Sequence, residues 1–236
     1  MIRWLAFDAD DTLWENEKYY HEGQEKLAAI LAAYYPAADV DAILLETETR
    51  NLPWYGYGIK SFGLSMIEVA VQLSNGVVSG SEITGIIDHL KEMLAHPTEL
   101  LPGVEQTLNR LRGKYRMLVI TKGDLLDQER KLVKSPLQGF FEAYEIVSAK
   151  SEQVYSGILE RYQIDPHEFL MVGNSLRSDI LPVINIGAYG VYIPHHTTWA
   201  HEVPEDYHCS SDRFFEIESF PEILSILERI NKSQPA

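Results

Sequence analysis

The chain has 236 residues, enough for one large domain or for one ordinary domain carrying a smaller insert. Its 45% hydrophobic and 23% charged content is ordinary for a globular protein, but 20 Lys plus Arg against 35 Asp plus Glu leave a formal charge of −15. With no basic stripe to offset that field, a nucleic-acid backbone or an anionic membrane is excluded as a primary partner. The single Cys209 rules out an internal disulfide framework and suits a reducing compartment. The apolar run from Met1 to Phe7 is too short for a secretory signal, and no stretch approaches the roughly 20 apolar residues of a spanning helix. A cytoplasmic location is expected.

Residues 2–7 form an apolar run that stops abruptly at acids, the pattern of a buried parallel strand. From Glu15 to about Pro97 the texture is helical. Leu27, Ile30, Leu31 and Tyr34 share one helical face until Pro36 ends it, and Ile43, Leu44 and Thr47 belong to a second helix. Met66, Ile67, Ala70, Val71 and Leu73 mark a third helix ending near Asn75-Gly76. Ile83, Ile86, Ile87, Leu90 and Leu94 mark a fourth, with Ser81 as its expected N-cap. Arg50 to Phe62, rich in aromatics and glycine, is expected to be a loop between two of these helices, in which Tyr57 and Lys60 either select substrate or simply pack and face solvent.

After Pro102-Gly103 helix and strand alternate. Strands are expected at 117–120, 144–147, 169–172 and 189–193, with helices at 104–111, 125–133, 153–162 and 179–186. Asn231 to Ala236 is expected to be a polar tail. The alternation predicts an α/β fold: a doubly wound, Rossmann-like parallel sheet core opened after its first strand by an inserted α-helical bundle. The expected boundaries are 1–14 and 98–236 for the core and 15–97 for the helical cap.

In such sheets the site lies beyond the carboxyl ends of the strands. The first strand runs into Asp8-Ala9-Asp10-Asp11-Thr12, the second into Thr121-Lys122-Gly123-Asp124, the third leads to Lys150, and the fourth runs into Gly173-Asn174-Ser175 with Asp179 beyond. On a continuing strand Asp8 and Asp10 face the same side, and two carboxylates about 7 Å apart repel by about 2.4 kcal/mol at an effective dielectric near 20. A divalent cation relieves that cost, and Mg²⁺ is commonly held by carboxylates together with substrate phosphate. With Mg²⁺ and Lys150 covering the phosphoryl oxygens, Asp8 is placed to attack phosphorus and Asp10 to protonate the leaving oxygen. Thr121 would donate to a phosphoryl oxygen.

Asp-x-Asp-x-Thr after the first strand, a hydrophobic run ending in Thr121, the later Lys150 and Gly-Asn-Ser-x-x-x-Asp together resemble the four motifs of the haloacid dehalogenase superfamily. The resemblance covers about residues 2–200 in the family's order. It implies a helical cap, because the long stretch lies between Thr12 and Thr121 and only a short one between Thr121 and Lys150. An acid at position 10 implies a phosphatase rather than a dehalogenase. The implied metal shell is Asp8, the backbone carbonyl of Asp10 and the fourth-motif residues Asn174 and Asp179; Thr12, Thr121, Lys122 and Lys150 are the implied phosphate-binding set. Asn174 stands where many relatives carry Asp, so weaker Mg²⁺ binding is expected. Lys122 and Ser151 also depart from the common pattern.

The expected activity is hydrolysis of small phosphorylated metabolites through an aspartyl-phosphate. The competing readings are a haloacid dehalogenase, a receiver-like signalling domain and a catalytically impaired phosphate-binding protein. His195, His196, His201, His208 and Cys209 match no zinc-finger spacing and read as ordinary loop residues. Asp11 reads as a turn residue pointing away from the site.

Overall fold

A computed structural model of the chain describes residues 1–36, 39–196 and 211–233. In chain order it contains β1 (Trp4–Phe7), α1 (Glu17–Leu31), α2 (Val40–Tyr55), α3 (Ile59–Leu73), α4 (Gly80–Ala95), α5 (Val104–Leu111), β2 (Arg116–Lys122) and α6 (Leu125–Lys134). There follow β3 (Ala143–Val147), α7 (Glu152–Tyr162), β4 (Phe169–Gly173), α8 (Leu181–Asn185), β5 (Tyr189–Tyr192), β6 (Phe214–Glu216) and α9 (Ile223–Ser233). The chain divides into two compact units, an α/β unit of Met1–Glu15, Thr98–Lys122 and Lys131–Ala236, and a helical unit of Asn16–Pro97 with Gly123–Arg130.

The α/β unit is built on one parallel sheet in the order β3-β2-β1-β4-β5-β6. Its strands carry apolar side chains on both faces because both faces are covered. Leu5, Phe7, Met117, Val119, Leu170 and Val172 point into one core with α5 and α9, while Trp4, Ala6, Leu118, Ile120, Phe169 and Met171 point into a second with α7 and Val183 of α8. A one-residue slip of any central strand would exchange these sets, so the register is tightly specified. The order doubles back at the central pair: the chain winds outward from β1 to β3 and then restarts beside β1 at β4. The crevice between β1 and β4 is therefore the topological switch point, where such folds bind ligands.

The fold class agrees with the sequence expectation, but the C-terminal region does not. β6 extends the sheet beyond the last expected strand, and α9 reaches Ser233 where a tail from Asn231 was expected. Ile223, Leu227 and Ile230 form a helical stripe buried in the first core. Asn231 accepts from the Ile2 backbone N–H at 3.0 Å and donates to the Tyr115 hydroxyl at 3.2 Å, tying the helix end to the start of the chain. The helix expected at 179–186 is divided between a wide turn at Leu176–Ile180 and α8.

In the helical unit Leu27, Leu44, Phe62, Met66, Val69 and Ile86 anchor a core of their own. The N-cap of α4 is Ser79 rather than Ser81: its hydroxyl accepts from the Glu82 N–H while Glu82 reaches back to the Ser79 N–H, a reciprocal capping box. The expected loop at 50–62 is mostly helix. α2 continues through Pro53, which lies in its last turn, to Tyr55, and only Gly56 to Gly58 separate it from α3. Gly56 and Gly58 take φ of +68° and +107°, so glycine is what permits so short a connection. Gly123–Arg130, expected in the core, groups with the helices instead: Lys60 ion-pairs with Asp124, and a Cβ on Gly58 would come within 3.0 Å of the Asp124 nitrogen. Lys60 is thus partnered within its own unit. Among the described residues no helix is long and apolar enough to cross a membrane.

Candidate active site

β1 delivers Asp8 to the switch point. The Asp8 N–H still donates to the Val172 carbonyl at 2.9 Å, so Asp8 is held in register with β4 although the strand proper ends at Phe7. The chain then folds into a tight turn: Leu13 N–H donates to the Ala9 carbonyl at 2.8 Å and Asp11 N–H to the Trp14 carbonyl at 2.7 Å. Asp11 adopts φ +58°, a region that Asp tolerates better than most side chains. Because strand geometry ends at Asp8, Asp10 is not placed by strand alternation as expected. It is placed by this turn and by its own partners: Oδ1 accepts from Trp14 Nε1 at 2.7 Å and from Lys131 Nζ at 2.9 Å.

Beside Asp8 lie Lys150 and Asp179. The Lys150 ammonium donates to both carboxylates, to Asp8 Oδ1 in a short contact and to Asp179 Oδ1 at 2.6 Å. All three are buried. Asp179 is fixed by its second oxygen, which accepts from the Ser175 N–H at 3.0 Å, and by the turn that begins with Ser175. It packs directly on the end of β4. A Cβ on Gly173 would lie 2.3 Å from Asp179 Oδ2, so only glycine leaves room for the acid. Lys150 is set by Ser151, whose hydroxyl caps α7 by accepting from the Val154 N–H.

Two acids sharing one ammonium in a buried place leave an excess of negative charge. Burial is the main influence that pushes the Asp8 carboxyl up, to about 7; Asp179 and Asp10 add to it, and Lys150 opposes it. Burial would pull the Lys150 ammonium down, but Asp179 and Asp8 more than reverse this and hold it above the ordinary lysine range.

The remaining predicted residues lie at the same ends of β1, β2 and β4. Thr12 Oγ1 donates to Asn174 Oδ1 at 3.3 Å, linking the end of β1 to the end of β4. Thr121 is buried at the end of β2, and its hydroxyl donates to the neighbouring Lys122 carbonyl at 3.3 Å. The Lys122 side chain donates to Ser178 Oγ at 2.8 Å, so its ammonium is turned onto the turn that carries Asp179. Asp8, Asp179 and Asn174 present oxygen donors only, the set that suits a hard divalent cation such as Mg²⁺. Asp11, expected as a turn residue pointing away from its neighbours' site, lies in the turn after β1, buried and 3.7 Å from His195 Nδ1.

Sequence reasoning missed Trp14, Lys131 and Ser178. Trp14 carried a signal, since an indole four residues after an acid can close a turn onto it. Lys131 carried none, because within Glu129-Arg130-Lys131 it is indistinguishable from a solvated helix face.

A doubly wound parallel sheet with a buried acid–lysine–acid cluster at its switch point is the architecture of an α/β enzyme. The chain belongs to the haloacid dehalogenase-like hydrolases, whose family model matches residues 2–187. It is similar to the glyceraldehyde 3-phosphate phosphatases of Pyrococcus abyssi, with 30% identity over 99% of this chain and 97% of that one, and of Pyrococcus furiosus, with 25% identity over 98% and 95%. Among solved structures it resembles a haloacid dehalogenase-like family hydrolase from Xanthomonas campestris, at TM-score 0.86 and 34% identity, covering 99% of this chain and 95% of that one.

Proposed function

We propose that the chain is a Mg²⁺-dependent phosphatase of small phosphorylated metabolites that works through an aspartyl-phosphate on Asp8. The observation that carries this reading is the buried Asp8–Lys150–Asp179 cluster, with a second acid, Asp10, close enough to raise the Asp8 carboxyl. The names of the pyrococcal relatives support phosphate esters as the substrate class.

Asp8 attacks phosphorus as its carboxylate; a P–O bond forms and the bond to the leaving oxygen breaks. Asp10 hands a proton to that oxygen. Trp14 and Lys131 aim its carboxyl, each through Oδ1. In the second half a water attacks the acyl phosphate, Asp10 takes its proton, and inorganic phosphate leaves with the Asp8 carboxylate restored. Lys150, Thr12, Thr121 and the Lys122 backbone N–H bind the phosphoryl oxygens, and Lys150 also keeps the attacking carboxylate in place. Held by Asp8, the Asp10 carbonyl, Asn174 and Asp179, Mg²⁺ would supply positive charge to the phosphoryl group and to the acids around it.

The test is turnover of p-nitrophenyl phosphate and of a metabolite panel headed by glyceraldehyde 3-phosphate, with Mg²⁺ or EDTA, for the parent and Asp8→Asn. The expected outcome is Mg²⁺-dependent turnover that Asp8→Asn lowers by roughly 10⁴-fold or more, together with a phosphoryl adduct on the Asp8 peptide after acid quench. Turnover that survives Asp8→Asn, or an adduct on another residue, would overturn the proposal.

A further inference from the structure

Beyond the Asp8–Lys150–Asp179 cluster, a group of side chains whose ligand atoms could share a metal ion lies in the α/β unit. Glu15, His195 and His196 each offer one ligand atom, and these atoms all fall within 4.8 Å of one another. We propose that Glu15, His195 and His196 form a binding site for a divalent transition-metal ion of the zinc type, with Asp11 orienting His195 from the opposite side of its ring.

The distances fit shared ligation rather than direct bonding. His195 Nε2 and Glu15 Oε2 are 3.6 Å apart, too long for a hydrogen bond. Two ligands each about 2.0–2.2 Å from a tetrahedral zinc sit roughly 3.3–3.6 Å from one another. Glu15 Oε2 is buried and has no hydrogen-bond partner among the described residues, a costly state that a cation would relieve. The other nitrogen of His195 faces a carboxylate, Asp11 Oδ1 at 3.7 Å, beyond hydrogen-bond length but close enough for its charge to favour a ring turned with Nδ1 towards Asp11 and Nε2 towards Glu15. The His196 ring lies against that of His195 with centroids 4.2 Å apart, and His196 is exposed, which leaves the ion a way in.

Both sides of the site are anchored by backbone. Glu15 N–H donates to the Glu99 carbonyl at 2.9 Å, and Ile193 N–H, just past β5, donates to the Gly173 carbonyl at 3.0 Å. Imidazole nitrogen favours zinc-type ions, whereas the oxygen donors around Asp8 suit Mg²⁺, so the two sites differ in preference. An ion here would clamp the turn that carries Asp10 to the segment after β5. The proposal departs from the ordinary-loop reading of His195 and His196; His201, His208 and Cys209 lie outside the described residues.

The test uses metal-stripped full-length protein titrated with Co²⁺, then Zn²⁺, in excess Mg²⁺. Visible cobalt absorption saturating at one ion per chain and abolished by Zn²⁺ is expected. Glu15→Gln and His196→Ala should each remove the spectrum and weaken Zn²⁺ by roughly tenfold or more, and Asp11→Asn should weaken it by roughly 10–100-fold with the spectrum retained. Asp8→Asn and the combined His201→Ala, His208→Ala, Cys209→Ser variant should bind as the parent does. Absence of saturable binding, binding that survives both Glu15→Gln and His196→Ala, or binding lost with Asp8→Asn or the combined variant would overturn it. Because the readout is absorbance rather than turnover, it stands or falls apart from the phosphatase reading.

Discussion

Replacing Lys150 by Met keeps most of the side-chain volume and removes the one charge shared by Asp8 and Asp179. The Lys150 side chain is 2% exposed, and those of Asp8 and Asp179 are 10% and 1% exposed, so water cannot stand in for the lost ammonium. Two hydrogen bonds to charged groups, worth about 1.5–3 kcal/mol each, disappear, and two buried acids are left facing one another. Breaking a buried pair in this way costs about 3–5 kcal/mol. At about 2–4 °C per kcal/mol for a chain of this size, the metal-free variant should melt roughly 6–20 °C below the parent. The effect depends on pH with a definite sign. In the parent the Asp8 carboxyl is raised from 3.8 to about 7, so the folded state binds more protons than the unfolded state across that window. The stability this acid contributes is complete below its unfolded value and is lost as pH rises through about 7. Without Lys150 the Asp8 carboxyl loses its one opposing charge, so the deficit should be widest above neutrality and should narrow towards pH 5 as Asp8 protonates. Saturating Mg²⁺ should recover more in the variant than in the parent, because it supplies the missing charge. The assay is calorimetric or fluorimetric melting at pH 8 and pH 5, in EDTA and in Mg²⁺. A midpoint within about 2 °C of the parent at pH 8, below the cost of a single kcal/mol, would refute the reasoning. A deficit that grows on acidification would do the same.

Gly173→Ala should displace Asp179, because the new methyl would lie 2.3 Å from Oδ2 and 2.4 Å from Cγ. The expected cost is about 1–3 kcal/mol, read by thermal melting, and a weakened Mg²⁺ titration should accompany it; an unchanged titration would show that Asp179 is not needed for the metal. Ser79→Ala should lose about 1 kcal/mol, whereas Ser81→Ala, at an exposed position two residues later, should stay within about 0.5 kcal/mol. Chemical denaturation of the two variants side by side decides this, and equal losses would contradict the capping geometry.

The sheet was legible because its central strands are short, continuous apolar runs that end in chemistry-bearing residues, a pattern local in sequence. Asp8, Thr121, Lys150 and Asp179 could be read as strand-end residues for the same reason: each lies at the end of a strand or in the segment that follows one. β6 was not legible, since three residues of Phe-Phe-Glu acquire strand character only from pairing with β5. The N-cap of α4 was misread because Ser79 and Ser81 are chemically alike, and only the position of Glu82 relative to the actual helix start separates them.

What the sequence by itself determined is therefore the alternation of elements, the acids at the strand ends and the family. Tertiary structure decided which groups share a charge: that Lys150 bridges Asp8 and Asp179, that Lys131 and Trp14 converge on Asp10, and that His195 lies between Asp11 and Glu15. Hydrophobic periodicity repeats every few residues and can be read along the chain. Electrostatic partnership depends on distances between segments far apart in sequence, and those are set only when the sheet closes.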